Sequence, residues 1–166
     1  TVCDLSEVRE EVGRVAVKTL EILAKLSGEV SLFLVPSLDS HPNERSSPAL
    51  FVQGSGFIVD KPEFQDLRKL KSILEALEEK TGLSRWLKRQ TPEAGFGVSI
   101  GEENEPPAFK SCSVVSAQCV INGQAGILAV IGPCRMKYSY TIPLVVRMSQ
   151  VVSRIFDSWR EGYWAS

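Results

Sequence analysis

Glu102, Glu103 and Glu105 surround Asn104 and form an acidic cluster. Two such carboxylates in contact can act as general acid and general base. Spread into solvent, they cap and charge a loop, and that is the expectation for this segment. The sole histidine, His41, lies in a loop rich in proline and serine. It removes a histidine-based triad unless that loop is deeply organised, and it argues against a histidine-rich metal site. Cys3, Cys112, Cys119 and Cys134 include no Cys-x-x-Cys pair. Cys112 and Cys119 are seven apart in a predicted strand, which sends them to opposite faces. Reduced, mostly buried thiols are expected, with Cys134 the main candidate for redox sensing. Gly54-Ser-Gly56 is too short for a phosphate-cradling loop and lacks the Gly-Lys-Ser/Thr ending, so it reads as a flexible connection.

The segment Gly132-Pro133-Cys134-Arg135-Met136-Lys137-Tyr138 has the most to offer chemically. Gly132 permits a backbone turn that side chains forbid, and Pro133 ends strand pairing. Arg135 brings five donors that can tie carbonyls or a carboxylate together. Met136 can fill an irregular gap, and Tyr138 can bury its ring while its hydroxyl stays bonded. Two readings stand: a structural strand-to-helix connection, or a contact surface or ligand-gating turn. Gly101, Glu102, Glu103 and Asn104 are the second candidate segment.

The elements that must hold these residues are legible in outline. Asp4-Leu-Ser-Glu7 has the form of a capping box. Leu5, Val8, Val12, Val15, Thr19, Ile22 and Leu26 then recur at alternating three-four spacing, which predicts one helix packed on a sheet and stopped by Gly28. Val30 to Val35 reads as a buried strand, Pro36 to Pro48 as a loop, and Leu50 to Val52 as a short strand. Pro62 follows Asp60 as a first helical residue should. Phe64, Leu67, Leu70, Leu74 and Leu77 give that helix its apolar stripe, and Arg68, Lys69, Lys71, Glu75, Glu78 and Glu79 give it a solvated face. Gly82 is expected to break it, with a short further turn from Leu83 to Lys88. Arg85-Trp-Leu-Lys-Arg89 mixes basic and aromatic residues and reads as the edge of a packed helix. Asn122-Gly123 between the runs from Cys112 to Ile121 and from Gln124 to Ile131 is a strong hairpin signal. A last helix from about Ser139 to Trp159 has Pro143 in its first turn and the stripe Ile142, Val145, Val146, Val152, Ile155, Phe156 and Trp159.

At 166 residues, 43% hydrophobic and 23% charged, the chain has material for one cored domain. Its 19 basic and 20 acidic residues give a net charge of −1, without the basic face of a nucleic-acid binder. No apolar run approaches the ~20 residues that span a bilayer. A start at Thr1 rather than Met raises the expectation of a lost leader or a lost N-terminal domain. The apolar stripes exceed what a single thin sheet needs, so part of that surface is expected to face a protein partner, as a homodimer or a heteromeric complex.

Four stretches in a fixed order resemble the C-terminal half of the HrcA repressor family. They are Phe51-Val-Gln-Gly-Ser55 with Lys61-Pro-Glu-Phe-Gln-Asp-Leu67, Val98-Ser-Ile-Gly-Glu-Glu-Asn104, Cys112-Ser-Val-Val-Ser-Ala117, and Gly126-Ile-Leu-Ala-Val-Ile-Gly-Pro-Cys-Arg-Met-Lys-Tyr138. About four fifths of the chain is covered. The resemblance implies an α+β, GAF-like antiparallel sheet flanked by long terminal helices. Residues 1–35 and 98–166 would form the GAF-like domain, and 36–97 a shortened insertion carrying helices. It further implies a non-enzymatic regulatory and dimerising module, without cofactor or metal. Its relatives repress heat-shock operons at inverted repeats and respond to the GroE chaperonin. The segment around Asn104 would be structural or regulatory. The winged helix-turn-helix that precedes this region in the family is missing from the sequence, so direct DNA binding is not expected. Two origins fit: the regulatory fragment of a bacterial DNA-binding repressor in the cytoplasm, or a divergent plastid protein of the chloroplast stroma. A small-molecule sensor using a GAF pocket is the alternative function. Cys134 and Lys137 stand where the family usually has Thr and Asp.

Overall fold

A computed structural model describes residues 5–38 and 48–159. Asp4 of the capping box, Cys3, His41 and most of the Pro36 to Pro48 loop lie outside these residues. The chain runs α1 (Leu5–Ser27), β1 (Val30–Val35), β2 (Ala49–Gln53), α2 (Gly56–Val59), α3 (Leu67–Glu78), α4 (Lys80–Gln90), β3 (Phe96–Ile100), β4 (Cys112–Ile121), β5 (Gln124–Pro133) and α5 (Tyr138–Trp159), with 3₁₀ turns at Pro62–Phe64, Gly101–Glu103 and Pro107–Phe109. The strands form one five-stranded sheet in the order β2-β1-β5-β4-β3, antiparallel throughout. It is the α+β, GAF-like architecture.

Helices cover both faces, which explains why β1 is buried along its whole length and apolar on both faces but for Ser31. Phe33, Val35, Leu128, Val130, Val115, Ala117, Cys119 and Ile121 face α1 and α5. Val30, Leu32, Leu34, Ile127, Ala129, Ile131, Cys112 and Val114 face the side of α2, α3 and α4. Cys112 and Cys119 therefore do lie on opposite faces. Asn122 and Gly123 take φ of 52° and 75°, the two left-handed positions of a type I′ hairpin turn between β4 and β5. On the α1 face, Ser31 Oγ donates to the Leu20 carbonyl at 2.9 Å and ties α1 to β1.

Several helical expectations are corrected. In α1 the buried residues are Val8, Val12, Ala16, Thr19, Leu20, Leu23 and Ala24, whereas Ile22 and Leu26 are exposed. The expected stripe repeats every 3.5 residues, and a straight helix drifts about 20° per heptad from that repeat. α1 packs on β1, β2 and α5, and its contact line departs from that repeat. Pro62 opens a 3₁₀ turn instead of a long helix. Asp66, not Asp60, caps α3, accepting from the Arg68 and Lys69 amides at 2.9 and 3.5 Å. That reset buries Ile73 and Leu77 and leaves Leu67 exposed. Gly82 breaks nothing. The helix ends at Glu79, whose carboxylate accepts from the Gly82 amide at 2.9 Å and starts the eleven-residue α4. Trp86 of α4 is buried and stacks on Phe109 with ring centroids 5.2 Å apart. Pro143 falls inside α5, one turn beyond its start, and the buried line there is Thr141, Val145, Ser149, Val152 and Phe156. Within 36–97, β2 joins the sheet as an edge strand, and α2, α3 and α4 pack on one face.

Candidate functional site

β5 ends at Pro133, and the chain then turns tightly into α5. The Met136 amide donates to the Pro133 carbonyl, and the Tyr138 amide to the Met136 carbonyl, both at 3.0 Å. Met136 is buried in the core beneath the turn. The Tyr138 hydroxyl lies 2.6 Å from both Ser113 Oγ on β4 and the Cys134 carbonyl, so one side chain locks the turn to the sheet. Arg135 pairs with Glu63 through both Nε and Nη2, a cross-link between the turn and the Pro62–Phe64 segment. The Arg135 side chain is 64% exposed. Lys137 is exposed, and so is Cys134, a free thiol. Burial pushes the Cys112 and Cys119 thiols up to about 12, which keeps both protonated and unreactive at neutral pH.

Glu29 lies under this turn, and sequence reasoning missed it. It sits between the end of α1 and the first residue of β1, with its side chain only 7% exposed. Oε1 accepts from Lys61 Nζ at 3.2 Å, whereas the buried Oε2 has no partner. Burial raises the carboxyl's pKa above its ordinary 4.5, against the opposing pull of Lys61 and Arg135. A Cβ on Gly132 would collide with Oε2 and come within 2.9 Å of the Met136 methyl. A side chain at 132 would therefore require the Glu29 carboxylate and the Met136 methyl to shift. A cavity of about 590 Å³ opens beside it, lined among others by Glu29, Lys61, Arg135, Met136, Lys137 and Tyr140. The available signal was a lone acid between a helix-stopping glycine and a strand that is apolar but for Ser31.

The acidic cluster does not assemble an acid–base pair. Glu103 accepts from the Ile100 amide at 2.8 Å, Glu102 pairs with Lys110 at 3.2 Å, and Glu105 pairs with Arg89. All three are exposed. Asn104 is fully buried, and its amide donates to the Phe109 and Cys112 carbonyls at 2.7 and 2.9 Å. Its job in this geometry is to fold residues 101–111 back onto β4. The two candidate segments are neighbours, because a Cβ on Gly101 would lie 3.7 Å from Cys134 Sγ. Among the described residues no three His, Cys, Asp or Glu side chains converge as a metal cage requires. No described helix is long and apolar enough to cross a membrane.

Comparison with known proteins adds the following. The family described as "HrcA protein C terminal domain" matches residues 3–142. The chain is 43% identical over 110 residues to the heat-inducible transcription repressor HrcA of Shouchella clausii, covering 66% of this chain and 32% of that protein. It is 31% identical over 137 residues to the protein of the same name from Clostridium botulinum, covering 80% and 39%. The chain thus spans about a third to two fifths of the length of these relatives. A crystal structure of a hypothetical protein superposes with a TM-score of 0.70 at 12% identity, over 88% of this chain and 70% of that one, which bears on the fold alone.

Proposed function

The chain belongs to the HrcA family, matching its C-terminal domain, and from that premise we propose that it is the regulatory and interaction module of a heat-shock repressor system. In this reading it is not an enzyme. It acts on gene expression through protein–protein contacts, and operator DNA is engaged by a winged-helix domain rather than by these residues. Their net charge of −1 supports that division of labour. The bacterial cytoplasm is the compartment that follows from it. Residues 36–97 serve as a shortened insertion, with β2 contributed to the sheet.

One observation carries the contact role. Phe96, Val98 and Ile100 on the edge strand β3 are 47%, 36% and 41% exposed and project to the same face. Among the described residues β3 has a partner on one side only. An apolar edge strand of this kind invites pairing with another chain. We take that chain to be a second copy. Light scattering at micromolar concentrations is expected to report a dimer, and Phe96→Lys to shift it to monomer without lowering the melting temperature appreciably. A wild-type chain that stays monomeric at every concentration and captures no protein from extract would remove the contact role.

The sensor alternative is favoured by a separate observation, the unpartnered Glu29 oxygen beside an open cavity.

A further inference from the structure

We propose that the groove between the edge strand β2 and α4 docks an extended, acidic segment of a partner protein, which adds to the sheet as a strand and sets carboxylates at alternate positions against Lys80, Arg85 and Lys88. β2 ends the sheet opposite β3, and among the described residues it pairs on one side only. The N–H and C=O groups on the open side of an edge strand are a template for one more strand. Beside that edge lies a groove of about 530 Å³, lined among others by Leu50 and Phe51 of β2 and by Lys80, Ser84, Arg85 and Lys88 of α4.

The charge of the groove selects the partner. Lys80, Ser84, Arg85 and Lys88 fall on one side of α4, at helical spacings of three and four. The three cations are exposed, and no acid is among the described residues that line the groove. Among the described residues their side chains have no hydrogen-bond or ion-pair partner. Arg89, on the same helix, is by contrast paired with Glu105. The groove is thus a local excess of positive charge on a chain whose net charge is −1.

Length decides the form of the partner. From Lys80 to Lys88 the helix rises about 12 Å, too far for one small anion to meet all three cations. An extended chain passes that length in about four residues, and acids two apart stand about 7 Å from each other on the same face. Three cations are also few for a nucleic acid, whose binders concentrate a broader basic surface. Leu50 packs on the α4 side of the sheet and Phe51 on the α1 side. Every second residue of an added strand would therefore stand on the α4 side with the cations, and the residues between would stand beside Phe51. The pattern that fits is acidic, apolar, acidic. This surface is independent of the dimer contact at β3, which lies at the other edge of the sheet.

The test is fluorescence anisotropy of the 166-residue chain with three labelled peptides that share the same uncharged flanks. Their centres are Glu-Val-Glu-Val, its isomer Glu-Glu-Val-Val, which sends the acids to opposite faces, and Lys-Val-Lys-Val. The alternating acidic peptide is expected to bind saturably and about fivefold tighter than its isomer, the worth of one well-placed exposed ion pair. The lysine peptide is expected not to bind. Arg85→Glu combined with Lys88→Glu changes two exposed side chains without partners, and is expected to weaken the alternating peptide about tenfold or more. Phe96→Lys, at the opposite edge, is expected to leave its affinity unchanged. No saturable binding of the alternating peptide, equal binding of the two isomers, or binding that the α4 double variant leaves intact would overturn the docking site. Loss of binding with Phe96→Lys would move it to β3. Single-stranded DNA that binds more tightly than the peptide, and is lost with the same double variant, would give the groove to nucleic acid and overturn the proposal as well.

Discussion

Gly132 and Glu29 constrain each other. The glutamate occupies the space a side chain at 132 would need, so Gly132→Ala must displace a buried carboxylate or the turn itself. A loss of about 1–3 kcal/mol is expected by urea unfolding, as for other overpacked sites. Arg135→Ala is expected to cost under about 1 kcal/mol, because the arginine end of its pair with Glu63 is solvated. Reversal of that order would mean that the arginine, not the glycine, holds the turn. Glu29 also makes stability depend on pH. Its folded pKa is raised, chiefly by burial. The folded state therefore holds the proton more tightly than the unfolded chain, and this contribution is fully present below the unfolded value near 4.5. It is lost as pH rises through the folded value. Wild type is thus expected to lose stability relative to Glu29→Gln from about pH 4.5 upward, read from melting curves between pH 4 and 8. A constant difference across that range would contradict it. The turn residues were legible because Gly-Pro followed by Arg, Met and Tyr is chemically unusual. Glu29 was not, because nothing local to it says that the far end of β5 will close over it.

At the scale of elements, caps decided what apolar spacing alone could not. The hairpin was legible because Asn122-Gly123 imposes a turn by backbone geometry. The starts of α3 and α4 were not, because Asp60, Asp66 and Glu79 are all plausible caps by type, and only tertiary packing selects among them. Phe64 must be buried, so Pro62–Phe64 tucks in as a 3₁₀ turn, and Asp66 takes the cap. Asp66→Ala is expected to lower stability by about 1 kcal/mol, and Asp60→Ala by much less, in parallel urea unfolding. Equal costs would place the cap elsewhere. The drift of α1 away from its 3.5-residue stripe has the same origin. The sheet and α5 together set its contact line, and that is knowable only once those elements are in place.

At the scale of the molecule, both faces of the sheet are covered by helices, and the β3 edge remains open. The features that face outward include the apolar residues of β3 and the charged cavity beside Glu29. The family membership gives these features a setting: a domain whose relatives are named as heat-inducible transcription repressors and of which this chain matches the C-terminal part. The antiparallel order and the long terminal helices were legible from strand and helix periodicity together with the resemblance. The exposed face of β3 was not, because Phe96, Val98 and Ile100 have the composition of a buried strand. The most direct measurement of the account is a chimera. In it, the part of the Shouchella clausii repressor that this chain matches is replaced by this chain, and an operator-controlled reporter is read before and after heat shock. The account predicts repression that heat relieves, and loss of repression with Phe96→Lys. A stable, folded chimera that leaves the reporter unrepressed at every temperature, while the unaltered repressor silences it, would contradict the account.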